Sequence, residues 1–214
     1  MDTQGIDVVT SAVEPLCGPL HDIFAEATAR SQAIRASLDL GDGVYNSMGA
    51  DVTRALVHKA IGAHGGIGAW QLAGNHNLRG QVLLRSRLMR IRFLHERAGS
   101  IPAPGHNVAR RAYYRNVTLG QQKLLDAESS NLIAVWSVTD PEVARVSIRI
   151  VRPISDDARW TGAQTEVDLD FILPNLSEDL EGLEFIPTDT GLFLDLPEAE
   201  DDDQSGQAST GDVR

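Results

Sequence analysis

Three runs of this chain alternate apolar and polar residues with the period of a β-strand, and a fourth is apolar almost throughout. In Val82 to Leu94, Met89, Ile91 and Phe93 alternate with Arg90 and Arg92. In Arg145 to Arg152, Val146, Ile148 and Ile150 alternate with Ser147, Arg149 and Val151. In Glu166 to Leu173, Val167, Leu169, Phe171 and Leu173 alternate with Asp168 and Asp170. The apolar run is Leu132 to Thr139, and it contains Trp136. Successive strand side chains point to opposite faces, so an alternating run buries one face and leaves the other polar. Asp140-Pro141-Glu142 is turn chemistry and makes a hairpin of the runs on either side of it. The pattern predicts all four runs in one antiparallel sheet, with Trp136 in the core.

Two helices precede the sheet. Leu20, Ile23, Phe24, Ala27, Ile34 and Leu38 fall mostly at helical spacing, which predicts a helix from Pro19 to Leu38. Val52, Leu56, Ala60 and Ile61 predict a second from Asp51 to Ile61, with Asp51 as its N-cap. Gly62 to Gly68 reads GAHGGIG. A P-loop needs strand, glycines and helix in that order, ending in Gly-Lys-Ser/Thr. Here the glycines follow a helix and no lysine follows them, so they read as a helix end and turn. Ala69 to Ala73 is expected as a short strand, Ala98 to Asn107 as a loop, and Val108 to Asn116 and Gln121 to Ala127 as short helices. The fold class is therefore α+β: a mostly antiparallel sheet with N-terminal helices packed on one face.

Charge divides the chain. Between Arg79 and Arg115 stand nine arginines and one acid, Glu96, inside a protein of net charge −11. From Asp156 onward there are seventeen acids and two arginines. The expected organisation is one α+β domain over residues 1–174, followed by a largely disordered acidic tail over 175–214. Within that tail Phe185, Ile186, Leu192, Phe193 and Leu194 are too apolar for a purely solubilising segment, and they read as docking residues. The single cysteine, Cys17, excludes an intrachain disulfide and reads as a small buried hydrophobe. No basic-then-apolar leader opens the chain and no apolar run approaches membrane-spanning length, which fits a cytoplasmic protein.

The candidate binding residues are Arg85, Arg87, Arg90, Arg92, Arg110, Arg111 and Arg115, with Tyr113 and Tyr114 among them. Three uses compete. Arg90, Arg92 and Arg149 would pair across the sheet with Asp168 and Asp170 and bind nothing. Alternatively the Arg85–Arg115 region contacts nucleic-acid phosphates, with the tyrosines stacking on bases. In the third use the arginines meet an acidic protein surface, or the chain's own tail.

A divergent metal-dependent nuclease or hydrolase is a further alternative, resting on Gln121-Gln122-Lys123 and the Asp168/Asp170 pair. None of His21, His58, His64, His76, His95 and His106 forms HExxH, and they read as ordinary surface or partly buried side chains; His58 and His64 stand six apart across a helix end, and His95-Glu96 and His106 flank the proline loop, where they could meet. The leading expectation is a non-enzymatic interaction or regulatory protein with a protein partner, no cofactor and no metal.

Overall fold

In a computed structural model of the chain, residues 3–40, 45–77, 80–87, 89–96, 99–116, 130–155 and 165–176 are described. The chain is α+β, with three N-terminal helices and a six-stranded, mostly antiparallel sheet.

Helices α1 (Thr3–Val13) and α2 (Cys17–Ser37) are joined by a single 3-10 turn, Glu14–Leu16. Val9, Val13, Leu16, Leu20, Phe24, Ala27 and Ser31 are all buried. Their spacing of three or four residues continues through the turn, so the whole N-terminal rod lays one stripe on the sheet. Sequence reading starts this rod only at Pro19, a residue that suits a first turn. Pro15 occupies the first turn of the 3-10 segment, and Pro19 the first turn of α2. A missing N–H costs nothing in a first turn. Cys17 is buried in the same stripe.

Helix α3 (Asn46–Ala63) begins five residues before the expected start. Asp51 is thus inside the helix, where it pairs with Arg54 one turn on. The glycine run ends α3 as expected. Gly66 has φ +122°, and a Cβ there would stand 2.3 Å from the Trp70 carbonyl oxygen, so only glycine fits. This turn delivers Trp70, fully buried, whose Nε1 donates to the Ala12 carbonyl at 2.7 Å.

The strands are β1 (Gln71–Leu72), β2 (Leu83–Ser86), β3 (Met89–His95), β4 (Ser130–Asp140), β5 (Arg145–Pro153) and β6 (Val167–Ile172), ordered 1-2-3-4-5-6. Helix α4 (Val108–Tyr114) lies between β3 and β4 in the chain. All four predicted runs share one sheet, and the β4–β5 hairpin closes through the Asp140 turn, where the Asp140 carboxylate accepts from the Glu142 N–H at 3.0 Å.

Two expectations need correction. Val82 to Leu94 is not one strand: it reverses after Ser86 into β2 and β3, with Arg87 at φ +48° in the bend. No glycine or asparagine marks this reversal, so the alternation reads straight through it. The strands are also not all antiparallel, since β3 pairs parallel with β4. A parallel pair needs a long return path, and the segment holding α4 supplies it.

Ile91, Phe93, Leu132, Ala134, Trp136, Ile148 and Ile150 form the sheet face under α1–α3. Trp136 is 1 % exposed, and Phe24 of α2 packs against both Phe93 and Trp136, with centroids 5.6 and 5.3 Å apart. Leu94, Ile133, Val135 and Val151 face the other way, into a smaller core with Ile101 and Tyr114. The loop and α4 therefore cover part of the second face. Among the described residues no helix is long and apolar enough to cross a membrane.

Candidate functional site

The expected binding residues separate into a hairpin group and a helix group. Arg85, Arg87 and Arg90 are exposed on the β2–β3 hairpin. Leu84 and Ile91 are cross-strand partners and both point into the core, so the next pair, Arg85 and Arg90, stands directly opposite on the outer face. Like charges in that position repel. The Arg85 Nε bonds a main-chain oxygen, that of Arg87, at 3.4 Å.

Arg92 shares the outer face of β3 but is half-buried, because α4 crosses beside it. The helix is started by Asn107, whose side chain accepts from the Arg110 N–H at 2.9 Å. It is fastened by its two tyrosines. The Tyr113 hydroxyl sits 3.0 Å from the Arg90 carbonyl oxygen and 2.7 Å from that of Leu132, bridging the parallel strand pair. Tyr114 is fully buried, and its hydroxyl donates to the Pro102 carbonyl. Burial pushes the Tyr113 phenol above its ordinary range against the opposing pull of Arg92 and Arg90. Burial also raises Tyr114, against the charge and hydrogen bond of Arg110. Tyr114 is thus a core residue and Tyr113 a clamp, so neither ring is displayed for stacking on a base.

Arg110 stands one turn before these tyrosines, half-buried, with its Nε shielded from solvent and without a hydrogen-bond partner among the described residues. Arg111 is half-buried and Arg115 exposed, and both are already engaged by other groups. Arg79 and Arg97 lie outside the described residues, as do Gln121, Gln122 and Lys123 and the tail residues Phe185, Ile186, Leu192, Phe193 and Leu194.

Sequence reading missed Arg54. It approaches from α3 at the sheet edge, where its Nε stands 4.0 Å from the place a Cβ would take on Gly80. Nothing in one dimension links it to Arg92, and only the packing of α3 beside the hairpin does so. Arg92 has its pKa lowered first by burial and then by the positive charges of Arg110 and Arg54.

The expected pairing of arginines with the β6 aspartates is half right. Arg149 grips Asp170 through two guanidinium nitrogens. Asp168, however, binds Arg152, not Arg90 or Arg92. Strands β4 and β5 separate β3 from β6, which puts the two β3 arginines beyond reach. Arg152 is fully buried and also bonds the Ser130 hydroxyl at 3.3 Å, while the register slips by one residue between β5 and β6 at that point. Each aspartate of the pair considered for metal chemistry thus binds a guanidinium.

Three histidines make ring contacts. His58 stacks on His76 with centroids 3.9 Å apart, and His95 meets the edge of Trp136. His58 is held below the usual histidine value by burial and by His76. Among the described residues no group of three or more histidine, cysteine or acidic side chains converges on one point.

No family model, curated protein or solved structure shows a significant match to this chain.

Proposed function

We propose that this protein is a non-enzymatic interaction protein whose β2–β3 hairpin engages an acidic polypeptide through Arg85, Arg87 and Arg90. The observation that carries this reading is the direct opposition of Arg85 and Arg90 across the hairpin. Two exposed guanidiniums facing one another are destabilising unless an anion lies between or over them. Guanidinium forks match carboxylates two bonds at a time, which suits a run of Asp and Glu. The positions of Tyr113 and Tyr114 argue for a protein partner over nucleic acid, because the aromatic platform that single strands use is spent inside the fold.

The chain carries a competitor of its own. Residues 175–214 hold twelve acids against one arginine. A tethered segment meets its target at an effective concentration near millimolar, so a weak attraction suffices to mask the hairpin. The apolar residues Phe185, Ile186, Leu192, Phe193 and Leu194 would then serve either the masked state or the partner.

A labelled poly-glutamate peptide, titrated across a salt series, tests both parts. The full chain is expected to bind it weakly, and the chain cut before Asp195 more tightly at low salt. The gain should shrink as salt rises, because exposed charges are screened within about 8 Å at physiological ionic strength. Replacing Arg85, Arg87 and Arg90 together by Gln should abolish the binding. If that triple variant binds as the wild type does, the hairpin is not the contact surface. If a DNA duplex binds more tightly than the peptide at matched salt, nucleic acid is the partner.

A further inference from the structure

The buried and half-buried arginines of β5 have carboxylates. Arg149 has Asp170 and Arg152 has Asp168. Arg92, on β3, differs: among the described residues no acid pairs with it, and its charged neighbours are Arg110 and Arg54.

The local geometry brings these three together from three elements. Phe93 N–H donates to the Val82 carbonyl oxygen at 3.1 Å, which fixes the start of β2 beside Arg92, with Leu83 as the cross-strand partner of Arg92. Gly80, two residues before Val82, faces the Arg54 Nε. Tyr113 anchors α4 to the Arg90 and Leu132 carbonyls, and the Arg110 guanidinium, hydrogen-bonded to Tyr114 on the same helix, is near enough to Arg92 for the two charges to act on each other. The Nε atoms of Arg54 and Arg110 are both out of solvent with no hydrogen-bond partner among the described residues. Among the described residues Arg54 has one carboxylate, Asp51, which lies mostly in solvent. Shielded guanidinium N–H groups that donate to nothing are costly, and like charges sharing a partly dry site add to that cost. An anion of high charge and several acceptor oxygens removes both penalties at once.

We propose that Arg92, Arg110 and Arg54 form a binding site for a doubly charged tetrahedral oxyanion of the phosphate class. Arg92 supplies the floor from the sheet, Arg110 the cover from α4, and Arg54 the side wall from α3. Phosphate fits better than a carboxylate because it offers acceptors in three directions and two charges to three cations. The site is separate from the exposed hairpin arginines and does not depend on what they bind.

Thermal unfolding of the full-length protein provides the test, with inorganic phosphate against chloride at equal ionic strength. Phosphate stabilises many proteins through the solvent, so R92Q serves as the control for that general effect. The wild type should show a saturable midpoint rise, as mass action requires for a ligand of the native state. R92Q should weaken apparent phosphate affinity about tenfold or more, the weight of a charge-assisted hydrogen bond. R110Q should do the same, which keeps the test open if one variant folds poorly. R92K should fall between, since it keeps the charge and loses the fork. Replacing Arg85, Arg87 and Arg90 by Gln should leave the phosphate response unchanged, so loss of peptide binding and loss of this site are read separately.

Running a simple phosphomonoester beside inorganic phosphate assigns the source: tighter binding of the ester marks a phosphorylated small molecule, and equal binding marks free phosphate. The proposal is overturned if phosphate acts no better than chloride. It is also overturned if wild type and both Gln variants respond alike, or if glutamate is as effective as phosphate.

Discussion

At the β5–β6 edge of the sheet, Arg149 and Arg152 each meet an aspartate of β6; at the β2–β3 edge, Arg85, Arg90 and Arg92 meet other arginines. The two edges use the same residue type on the same scaffold, so the difference lies in the neighbours. Where a strand supplies alternating aspartates, arginine serves as structure. It closes the sheet and leaves no charge over. Where the facing strand is itself rich in arginine, the charge is uncompensated by the described part of the fold and is available to a ligand. An arginine-rich stretch is thus not one feature, and its members must be sorted by what opposes them.

The largest effect expected from breaking this contrast is at Arg152. Replacing Asp168 by Asn would take the Asp168 carboxylate away from a fully buried guanidinium. Breaking a buried pair from one side costs about 3–5 kcal/mol. Urea denaturation should show a loss in that range. A loss below about 1 kcal/mol would mean that other groups carry the Arg152 charge, and the β5–β6 edge would no longer be the clean structural case.

The clamp between the edges comes next. Tyr113→Phe removes a hydroxyl that serves two main-chain oxygens, Arg90 and Leu132. The loss should be about 1–1.5 kcal/mol, the net worth of a buried hydrogen bond. The same residue has a pH signature. Its phenol is raised in the fold, so its contribution is complete below the unfolded tyrosine value of about 10 and is lost as pH rises beyond it. Wild type should therefore lose stability above that pH more steeply than Tyr113→Phe. Parallel alkaline limbs would show that Tyr113 is not buried as described, and α4 would not then hold Arg110 near Arg92.

Arg149→Ala should be milder. Both side chains of its pair with Asp170 keep a quarter to a third of their exposure, 31 % and 24 %. Solvent screening holds such a pair to about 1 kcal/mol. The loss should shrink as salt rises, unlike the loss at Asp168. A salt-independent loss near that of Asp168→Asn would place Arg149 with the buried pairs.

The parts of this architecture that were readable share one physical property: they are written in local periodicity. Val146, Ile148 and Ile150 announce β5, and Val167, Leu169 and Phe171 announce β6, because half-burial repeats every second residue. Asp140-Pro141 announces the hairpin because turn chemistry is local. What escaped was written in contacts between distant residues. The β2–β3 reversal has no turn residue at Arg87, so its alternation looks like one long strand. Helix α1 is hidden behind Pro15 and Pro19, whose tolerance depends on their being in first turns. The parallel β3–β4 pairing has no local signal. It decides that Arg92 neighbours α4 rather than β6, and so it alone separates a ligand-facing arginine from a structural one. Arg54 joins the site only through the packing of α3 at the sheet edge.

The smallest expected change is the sharpest test of the comparison. Arg92→Gln, in chloride with no phosphate present, should change stability by less than about 0.5 kcal/mol, or raise it by up to about 1 kcal/mol. Several terms act. The substitution shortens a stem that packs under α4, which loses some apolar contact. It also withdraws a desolvated cation from two others, Arg110 and Arg54, which relieves repulsion. No carboxylate bond among the described residues is lost. Ordinary arginine replacements at half-buried positions destabilise, so a neutral or positive outcome is the mark of an uncompensated charge. Salt should act on the wild type in the same direction, raising its midpoint by screening the three cations, and should act less on Arg92→Gln. A loss above about 2 kcal/mol would reverse the conclusion. Arg92 would then have an anionic partner within this chain, for which Asp126, Glu128, Asp156, Asp157 and the acids after residue 176 are the candidates. The two edges of the sheet would be alike, each closing its own charge.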